Sequence, residues 1–305
     1  HQLFITVVII IMTAGCNRSG AEKASSHPNI IYILADDLGY GDVSCFNENS
    51  RIITPNIDKL ASEGLRFTDA HTGSSVCTPT RYGIITGRYS WRTELKHGVL
   101  SGFSIALIEP ERLTVGELLQ EHNYHTAFIG KWHLGWDWHV TRPGNWKSGP
   151  LGTVEDPDVD FRQPVQNGPN ERGFRYSYGF SGSLDMPPYV YVKNGLATTI
   201  PEDSTVCVDT KGFWRKGLTG TDFSHADVLQ HLTDKASEYI SDRSRKDQPF
   251  FLYFALSAPH TPILPAKEFM GKSNTNFYGD FVLQVDDVVG QIVSAVEKSR
   301  TRNHT

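Results

Sequence analysis

From residue 27 onward, continuous apolar runs alternate with segments in which apolar residues recur at helical spacing. Residues 30–35, 125–129 and 250–256 are uninterrupted β-prone runs. Runs of this length and composition predict strands that are buried on both faces of a sheet. A weaker strand-like pattern covers residues 65–70.

Helices are predicted between these strands from their end signals. Thr54 and Pro55 are expected to start one helix as its N-cap and first-turn residues, and Gly64 to end it. Thr114 and Glu117 have the spacing of a capping box, which predicts the start of another helix. Two further helices are expected at residues 226–241 and 278–296.

This alternation predicts an α/β fold with a largely parallel central sheet and helices on both faces. Residues 142–173 are rich in Pro and Gly and lack periodicity, so we interpret them as a long loop or insertion. No internal repeat interrupts the pattern, which favours one domain at residues 27–305.

The first 26 residues have the pattern of an export signal followed by a polar linker. The apolar run at residues 3–12 is too short to cross a bilayer as a helix, and small residues lead from it to Cys16. The segment ending at Cys16 resembles a bacterial lipobox, in which the cysteine carries a lipid. We expect an exported protein, in the periplasm or at the cell surface, with Cys16 as a candidate anchor. Because the chain opens on His1 rather than Met, we also expect its true start to lie upstream.

Composition and charge exclude several classes of protein. Apolar residues make up 39% of the chain and charged residues 21%, which is typical of a globular protein rather than a disordered or fibrous one. The net charge of −5 shows no basic excess, so neither nucleic-acid binding nor adhesion to an acidic membrane is indicated. The four cysteines show no zinc-like spacing. A disulfide between Cys45 and Cys207 is left open.

Polar side chains follow three of the predicted strands at the point where each strand ends. Asp36 and Asp37 follow the first strand, Lys131 and His133 the second, and His260 the third. In open α/β sheets, ligands bind beyond the carboxyl ends of the strands. We therefore expect these side chains to meet at one edge of the sheet and to form a functional site.

Cys77 follows the strand-like segment and opens a predicted helix. Thr78 is expected to be the N-cap residue and Pro79 to occupy the first turn, which places Cys77 at the positive end of the helix dipole. An anion there is stabilised by roughly 0.3–1 kcal/mol. The alternative is an inert cysteine, and the neighbouring polar strand ends favour the functional interpretation.

The sequence Cys77-Thr78-Pro79-Thr80-Arg81 resembles the signature of the formylglycine-dependent sulfatases. Three other segments resemble motifs of this family in the same order, namely residues 35–42 (ADDLGYGD), 130–135 (GKWHLG) and 258–262 (APHTP). The resemblance is fullest to bacterial arylsulfatases of the arylsulfatase A type, in the alkaline phosphatase superfamily. It implies a sulfuric ester hydrolase that cleaves sulfate monoesters, with sulfated glycans as the expected substrates.

The resemblance also implies a role for each motif residue. A maturation enzyme would oxidise Cys77 to formylglycine, whose hydrated aldehyde supplies the nucleophilic oxygen. Arg81 would hold this group, and Lys131 would neutralise the sulfate oxygens. His133 would be the base, while His260 would bind sulfate and protonate the leaving alcohol.

One calcium ion is implied as a cofactor, with Asp36, Asp37 and the group derived from Cys77 as ligands. Adjacent carboxylates repel each other unless a cation lies between them, which independently favours a metal at this position. Ser183 and Asp185 are expected at the rim of the substrate site. Family members supply further calcium ligands, a second sulfate-binding lysine and a C-terminal subdomain beyond this point. We therefore expect a truncated domain that is inactive by itself.

Two other functions remain open. Phosphonate and phosphodiester hydrolases of the same superfamily can use formylglycine, and a surface lipoprotein could bind sulfated glycans without turnover. Residues 183–189 (SLDMPPY) resemble arylsulfatases and favour sulfate esters. The expected partners are a sulfated carbohydrate and a formylglycine-generating enzyme, with membrane contact only through a lipid on Cys16.

Overall fold

The computed structural model describes residues 27–143 and 156–305, so the predicted export signal, Cys16 and part of the predicted insertion lie outside the described residues. The α-helices are α1 (Pro55–Glu63), α2 (Cys77–Thr86), α3 (Val115–Glu121), α4 (Val228–Arg243) and α5 (Phe277–Glu297). The strands are β1 (Ile30–Asp36), β2 (His125–Lys131), β3 (Val140–Arg142), β4 (Asp158–Val159), β5 (Tyr176–Phe180), β6 (Val192–Lys193), β7 (Leu196–Ala197), β8 (Asp203–Cys207), β9 (Trp214–Thr219) and β10 (Phe250–Pro259).

The central sheet has six strands in the order β1-β10-β2-β5-β6-β7. Strands β1, β10, β2 and β5 are mutually parallel, whereas β6 and β7 add to the sheet in antiparallel pairing. Strand β10 lies between β1 and β2 and is buried along its whole length. The predicted α/β fold with a largely parallel sheet is confirmed.

Side chains of β10 alternate between two hydrophobic cores. Leu252 and Phe254 pack on the face that carries α4 and α5. Phe251 and Tyr253 point to the opposite face, where they join Tyr82 of α2. Because successive residues of a strand face opposite sides of the sheet, one continuous apolar run supplies both cores. The predicted arrangement, with helices on both faces, is therefore correct.

The start of α3 has the cap that the sequence predicts, whereas α1 has the predicted bounds but not the predicted cap. At α3, Thr114 Oγ1 accepts a hydrogen bond from the Glu117 N–H at 3.1 Å, and the Glu117 carboxylate accepts one from the Thr114 N–H at 2.8 Å. The predicted capping box is thus confirmed. Helix α1 has the predicted bounds, but the Thr54 side chain does not cap it. Instead, two N–H groups of its first turn donate to the carboxylate of Asp286 in α5.

The predicted strand at residues 65–70 is wrong. This segment has no regular secondary structure, and the side chains of Leu65 and Phe67 are 86% and 71% exposed. Extended backbone becomes a strand only where a neighbour accepts and donates its hydrogen bonds. Strand β1 is an edge of the sheet as described, and residues 65–70 pair with neither it nor any other described strand.

Residues 142–173 form an irregular segment, as predicted, in the part that is described, apart from the short β3–β4 pair and a 3₁₀ turn at Asn170–Arg172. The sequence did not predict the strands between residues 176 and 219, because they are short and two of them contain mainly polar residues. Strands β8 and β9 form an antiparallel hairpin outside the central sheet.

Cys45 and Cys207 are free thiols, as is Cys77. Over residues 27–143 and 156–305, no helix has the length and apolar character needed to cross a membrane.

Candidate active site

The carboxyl ends of β1, β2 and β10 meet at one edge of the sheet, as predicted. Asp36 and Lys131 are the last residues of β1 and β2, and Lys131 Nζ donates a hydrogen bond of 2.5 Å to Asp36 Oδ2. His260 directly follows β10, and its Nε2 lies 3.6 Å from Asp37 Oδ2. Parallel neighbours bring these residues together because their strands end at the same edge.

Asp36 is buried between two cationic side chains. Arg81 Nη2 lies 3.4 Å from the same Asp36 oxygen that Lys131 contacts, and none of the three side chains is more than 5% exposed. Burial by itself would raise the pKa of Asp36. The charges of Lys131 and Arg81 outweigh burial and hold this pKa well below its ordinary value. The carboxylate therefore stays ionised between the two cations.

Main-chain carbonyl groups fix the orientation of Arg81. Its Nη1 donates to the carbonyl of Lys131 at 2.5 Å, and its Nη2 donates to the carbonyl of Leu256 at 3.2 Å. The guanidinium is thus bonded to the ends of β2 and β10 as well as to Asp36. A planar cation held at three points keeps its position when a substrate binds, which is the arrangement that electrostatic stabilisation needs.

A chain of polar contacts leads from Lys131 to His260. Lys131 Nζ donates to Ser183 Oγ at 3.1 Å, and Ser183 Oγ lies 3.4 Å from His260 Nδ1. His260 Nδ1 is also 2.5 Å from the carbonyl oxygen of Thr261. A carbonyl only accepts, so Nδ1 carries a hydrogen and Nε2 holds the lone pair of the neutral ring. The predicted site residues Lys131, Ser183 and His260 therefore lie together.

His133 is fully buried with one ring nitrogen bonded and the other free. Its Nε2 donates to the carbonyl of Leu100 at 2.7 Å, whereas its Nδ1 has no hydrogen-bond partner among the described residues. Burial, reinforced by the charge of Lys131, lowers the pKa of His133 to about 3. The ring is therefore neutral near pH 7, with its lone pair on Nδ1.

The backbone is strained at two site residues. His133 has a φ of 54° and Asp37 a φ of 62°, in the left-handed region that non-glycine residues rarely adopt. Such conformations cost about 1–3 kcal/mol and persist only where the surrounding structure imposes them. Both residues follow strand ends, where the chain turns sharply to direct a side chain into the site.

Cys77 is the first residue of α2 and is half-buried. It borders a cavity of about 260 Å³ that also contacts Asp36, Asp37, Thr80 and Arg81. The predicted convergence of Cys77 with the carboxylates of β1 is therefore observed.

The predicted N-cap at Thr78 is wrong. The N-cap residue is Val76, and Thr78 lies inside the first turn of α2. Its buried hydroxyl donates to the carbonyl of His133 at 2.9 Å and accepts from the Leu100 N–H at 3.2 Å. A hydroxyl can donate and accept at once, so Thr78 ties the start of α2 to the His133 loop and to Leu100.

A larger cavity of about 670 Å³ lies elsewhere, among residues 93–97 and 104–110. It contains Leu100 but none of the predicted site residues. Size therefore does not identify the site in this fold. The smaller cavity is the better candidate because a nucleophile, two carboxylates and a buried cation line it.

The hairpin β8–β9 supports the loop that carries Ser183 and Asp185. Arg215 of β9 donates to Asp185 Oδ2 at 2.6 Å and to the Asp185 carbonyl at 2.9 Å. Burial alone would raise the pKa of Asp185, but these hydrogen bonds and those of Ser183 lower it. Asp185 Oδ1 is buried and has no partner among the described residues. The ring of His225 bonds to the carbonyl of Leu184 in the same loop.

Sequence reasoning missed Arg215 and the main-chain acceptors of Leu100 and Thr261. Main-chain carbonyls have no sequence signature, because every residue carries one. Arg215 lies about 30 residues from Asp185, in a hairpin that the apolar pattern did not predict. Residues 203–216 are about as polar as the rest of the chain and have no regular apolar alternation, so the sequence carries no signal for this hairpin.

Asp36 and Asp37 are the residues that would hold a divalent cation. Two carboxylates beside a cavity suit a hard cation such as calcium. Over the described ranges, however, no group of three or more His, Cys, Asp or Glu side chains is arranged to bind a metal ion. One oxygen of Asp36 is bonded to Lys131. The described residues therefore fit only part of a calcium shell.

A family model with the description Sulfatase matches residues 28–305. The chain belongs to the sulfatase family. It is 31% identical to an N-acetylgalactosamine-6-O-sulfatase of Bacteroides thetaiotaomicron, over 97% of this chain and 61% of that protein. It is 33% identical to human arylsulfatase A, over 88% of this chain and 48% of that protein. The chain thus spans roughly half to three-fifths of these relatives, and the predicted sulfatase resemblance is confirmed.

Solved sulfatase structures share the fold. One from a study of glycosaminoglycan metabolism by Bacteroides thetaiotaomicron has a TM-score of 0.76 at 32% identity, covering 92% of this chain and 61% of that one. The structure of Ps i-CgsB in complex with a neocarrahexaose has a TM-score of 0.67 at 28% identity, covering 92% and 57%. The sulfatase fold, with its mostly parallel central sheet, is therefore present in this chain.

Proposed function

We propose that this sulfatase-family chain carries catalytic residues of a hydrolase that cleaves sulfate monoesters of glycans. The observation that supports it most is the pair of buried cations, Arg81 and Lys131, on Asp36 at the end of β1, with Arg81 lining the same cavity as Cys77. The carbohydrate part of the proposal draws on the relatives. One is named for a sulfated amino sugar, and another structure holds a neocarrahexaose.

Lys131 is proposed to neutralise the negative charge on the sulfuryl oxygens, and Arg81 to hold the charged group derived from Cys77. Both are buried and already positioned by hydrogen bonds to the protein. Cations in a water-excluded site stabilise developing charge more than they do in water, because no solvent reorganisation is needed. Asp36 offsets part of their charge and holds both in place.

We propose that a formylglycine-generating enzyme, which supplies the oxidant, oxidises Cys77 with loss of its sulfur, so that the Cβ atom becomes the aldehyde carbon of formylglycine. The hydrated aldehyde supplies an oxygen nucleophile. His133 is proposed to accept a proton in this reaction at Nδ1, whose lone pair has no partner among the described residues. The bond from Nε2 to Leu100 fixes this tautomer.

His260, when protonated on both ring nitrogens, is proposed to donate its Nε2 proton to the leaving alcohol, so His260→Ala should penalise poor leaving groups far more than good ones. We expect a loss of roughly 10²–10⁴-fold on a sugar sulfate, which needs the proton, and a much smaller loss on a nitrophenyl sulfate. Each tenfold loss corresponds to about 1.36 kcal/mol of transition-state stabilisation. Rates on both substrates are the measurement.

Replacing His122, an exposed histidine that bonds to its own helix α3, is the control and should leave both rates unchanged. Equal losses on the two substrates for His260→Ala would show that His260 binds sulfate and does not act as the acid.

A paired assay on an aryl sulfate and an aryl phosphodiester tests the reaction class. The proposal requires a higher kcat/KM for the sulfate. A higher kcat/KM for the diester would instead show that the protein is a phosphonate or phosphodiester hydrolase, an activity that the superfamily also contains. Retained affinity for a sulfated glycan with no turnover of either ester, and an unmodified Cys77, would indicate a binding protein.

We propose that the complete site uses a calcium ion, which when bound stabilises an ionised oxygen nucleophile. Residues 1–305 are expected to bind calcium weakly, with a Kd above about 10⁻³ M, because calcium prefers six to eight oxygen ligands. Asp36 and Asp37 provide few of these, and Lys131 competes for Asp36. Calorimetric titration is the measurement.

Asp37→Asn should remove the residual calcium binding, whereas Asp69→Asn, at an exposed aspartate away from the strand ends, should not. A calcium Kd of about 10⁻⁶ M for these 305 residues would contradict the proposal that they hold only part of the calcium site. Sulfatase turnover by the same chain would contradict our expectation that it is inactive alone.

We also propose that the protein is exported and carries a lipid on Cys16, based on the apolar run and small residues before it. Metabolic labelling with a palmitate analogue should mark the wild-type protein and not Cys16→Ser. A mature N-terminus at another residue, without label, would remove the anchor and leave export in place.

A further inference from the structure

Two exposed aromatic side chains lie next to each other just beyond helix α2. Tyr89 and Trp91 are 59% and 61% exposed, and their ring planes are nearly parallel, at 18° with centroids 6.1 Å apart. Large aromatic rings bury most of their area in soluble proteins, so an adjacent exposed pair indicates a contact surface. Neither residue takes part in the site described above.

The surface is held in a fixed geometry by its surroundings. A Cβ placed on Gly73 would lie 3.6 Å from the ring of Tyr89, so this ring packs closely over the Gly73 backbone. Lys96 Nζ donates to the carbonyl of Trp91 at 3.0 Å, and Arg88 donates to the carbonyl of Arg92 at 3.2 Å. Rings that are ordered before binding lose little conformational entropy when a ligand arrives.

The aromatic pair is continuous with the candidate active site. Thr72 and Ser74, on either side of Gly73, line the cavity beside Cys77. Tyr89 follows the last residue of α2 by three positions, and its ring lies over Gly73, so the aromatic pair borders the segment that leads to this cavity. A glycan that extends out of the cavity past residues 72–74 can therefore reach the aromatic rings.

The charges around the pair match an anionic ligand. Arg92 and Lys96 are exposed, and no described carboxylate lies within ion-pair distance of either side chain. Arg88 is paired with Glu109 at 3.1 Å, so its charge is largely offset. Glu94 is the acidic residue of this segment and leaves a small positive excess. Cations beside aromatic rings suit a sugar ring that carries its own sulfate group.

We propose that Tyr89 and Trp91, with Arg92 and Lys96, form a second glycan-binding surface for a pyranose ring and sulfate group of the same chain whose sulfate ester lies beside Cys77. The sugar ring stacks its apolar face on the aromatic rings, and its sulfate pairs with the cations. This inference rests on the proposed glycan substrate. Linking both contacts through one ligand raises affinity for long substrates without changing the chemistry at Cys77.

The test compares ligands of two lengths in a Cys77→Ala background, where no turnover occurs. Calorimetry measures Kd for N-acetylgalactosamine 6-sulfate and for a hexasaccharide containing 6-sulfated N-acetylgalactosamine. We expect Trp91→Ala and Tyr89→Ala to weaken hexasaccharide binding about tenfold each and to leave the monosaccharide Kd unchanged. Trp91→Phe and Tyr89→Phe retain a ring and should restore most of the affinity. Arg92→Gln should weaken binding of the sulfated hexasaccharide but not of its desulfated counterpart.

Other outcomes separate this inference from the proposed function. If both ligands bind and the alanine variants change neither Kd, the aromatic surface is not a glycan-binding site. This result is also expected if another protein segment or a second copy of the chain covers the surface. Equal weakening of both ligands would mean that the rings act through the cavity beside Cys77 and would overturn a separate surface. If the parent protein binds neither ligand, the glycan substrate itself is wrong and the inference fails with it.

Discussion

Cys77→Ala is expected to abolish sulfate-ester hydrolysis in an active preparation of the protein, by roughly 10⁵-fold or more, because alanine has no thiol to be oxidised and cannot yield the aldehyde whose hydrate is the nucleophile. The fold should remain intact, since Cys77 is only half-buried and its thiol pairs with neither Cys45 nor Cys207. Kinetics on an aryl sulfate and denaturant unfolding are the two measurements. Peptide mass spectrometry should find the aldehyde or its hydrate at Cys77 in the parent protein.

Cys45→Ala is the matched control, because Cys45 is also a half-buried free thiol but lies outside the cavity. It should leave turnover unchanged. An unmodified Cys77 thiol throughout a preparation that still hydrolyses sulfate esters would contradict the mechanism.

Asp36→Asn is expected to lower the free energy of unfolding by about 3–5 kcal/mol, because it leaves Lys131 and Arg81 buried without a counter-charge. All three side chains are almost fully buried, so water cannot replace the lost carboxylate. Denaturant unfolding in the presence of a metal chelator measures the difference. Asp37→Asn is the control and should change stability little, because Asp37 is half-exposed and asparagine also tolerates its left-handed backbone.

The effect should depend on pH in a defined direction. The folded-state pKa of Asp36 is lowered, so its ionised form stabilises the folded protein above the unfolded-state value of 3.8. The wild-type advantage over Asp36→Asn should therefore be complete near neutral pH and shrink as the pH falls below that value. A difference that stays constant down to strongly acidic pH would show that Asp36 is not the ionised centre of this cluster.

The sequence alone determined the α/β fold and most of the site, because the relevant signals are local. Buried strands such as β10 are continuous apolar runs, and Asp36, Lys131 and His260 follow strands whose carboxyl ends share one edge. Cys77 and Arg81 are four residues apart and were correctly predicted to lie on one helix. The capping box of Thr114 and Glu117 could be predicted because its two residues are also close in the sequence. Each of these inferences depends on neighbours within a few residues.

Tertiary structure alone determined the strand pairing and the hydrogen bonds that join residues far apart in the sequence. Residues 65–70 have a strand-like sequence but find no strand to pair with in the described part of the chain, because β-structure is completed by a neighbour and not by propensity. Thr78 is a residue type that often caps helices, but its hydroxyl donates to the carbonyl of His133. At the start of α1, a backbone N–H donates to Asp286, which is 230 residues away in the sequence. Arg215 reaches Asp185 through a hairpin without an apolar pattern. These hydrogen bonds form because the folded chain brings distant residues together, and the spacing of residues along the sequence does not predict which ones meet.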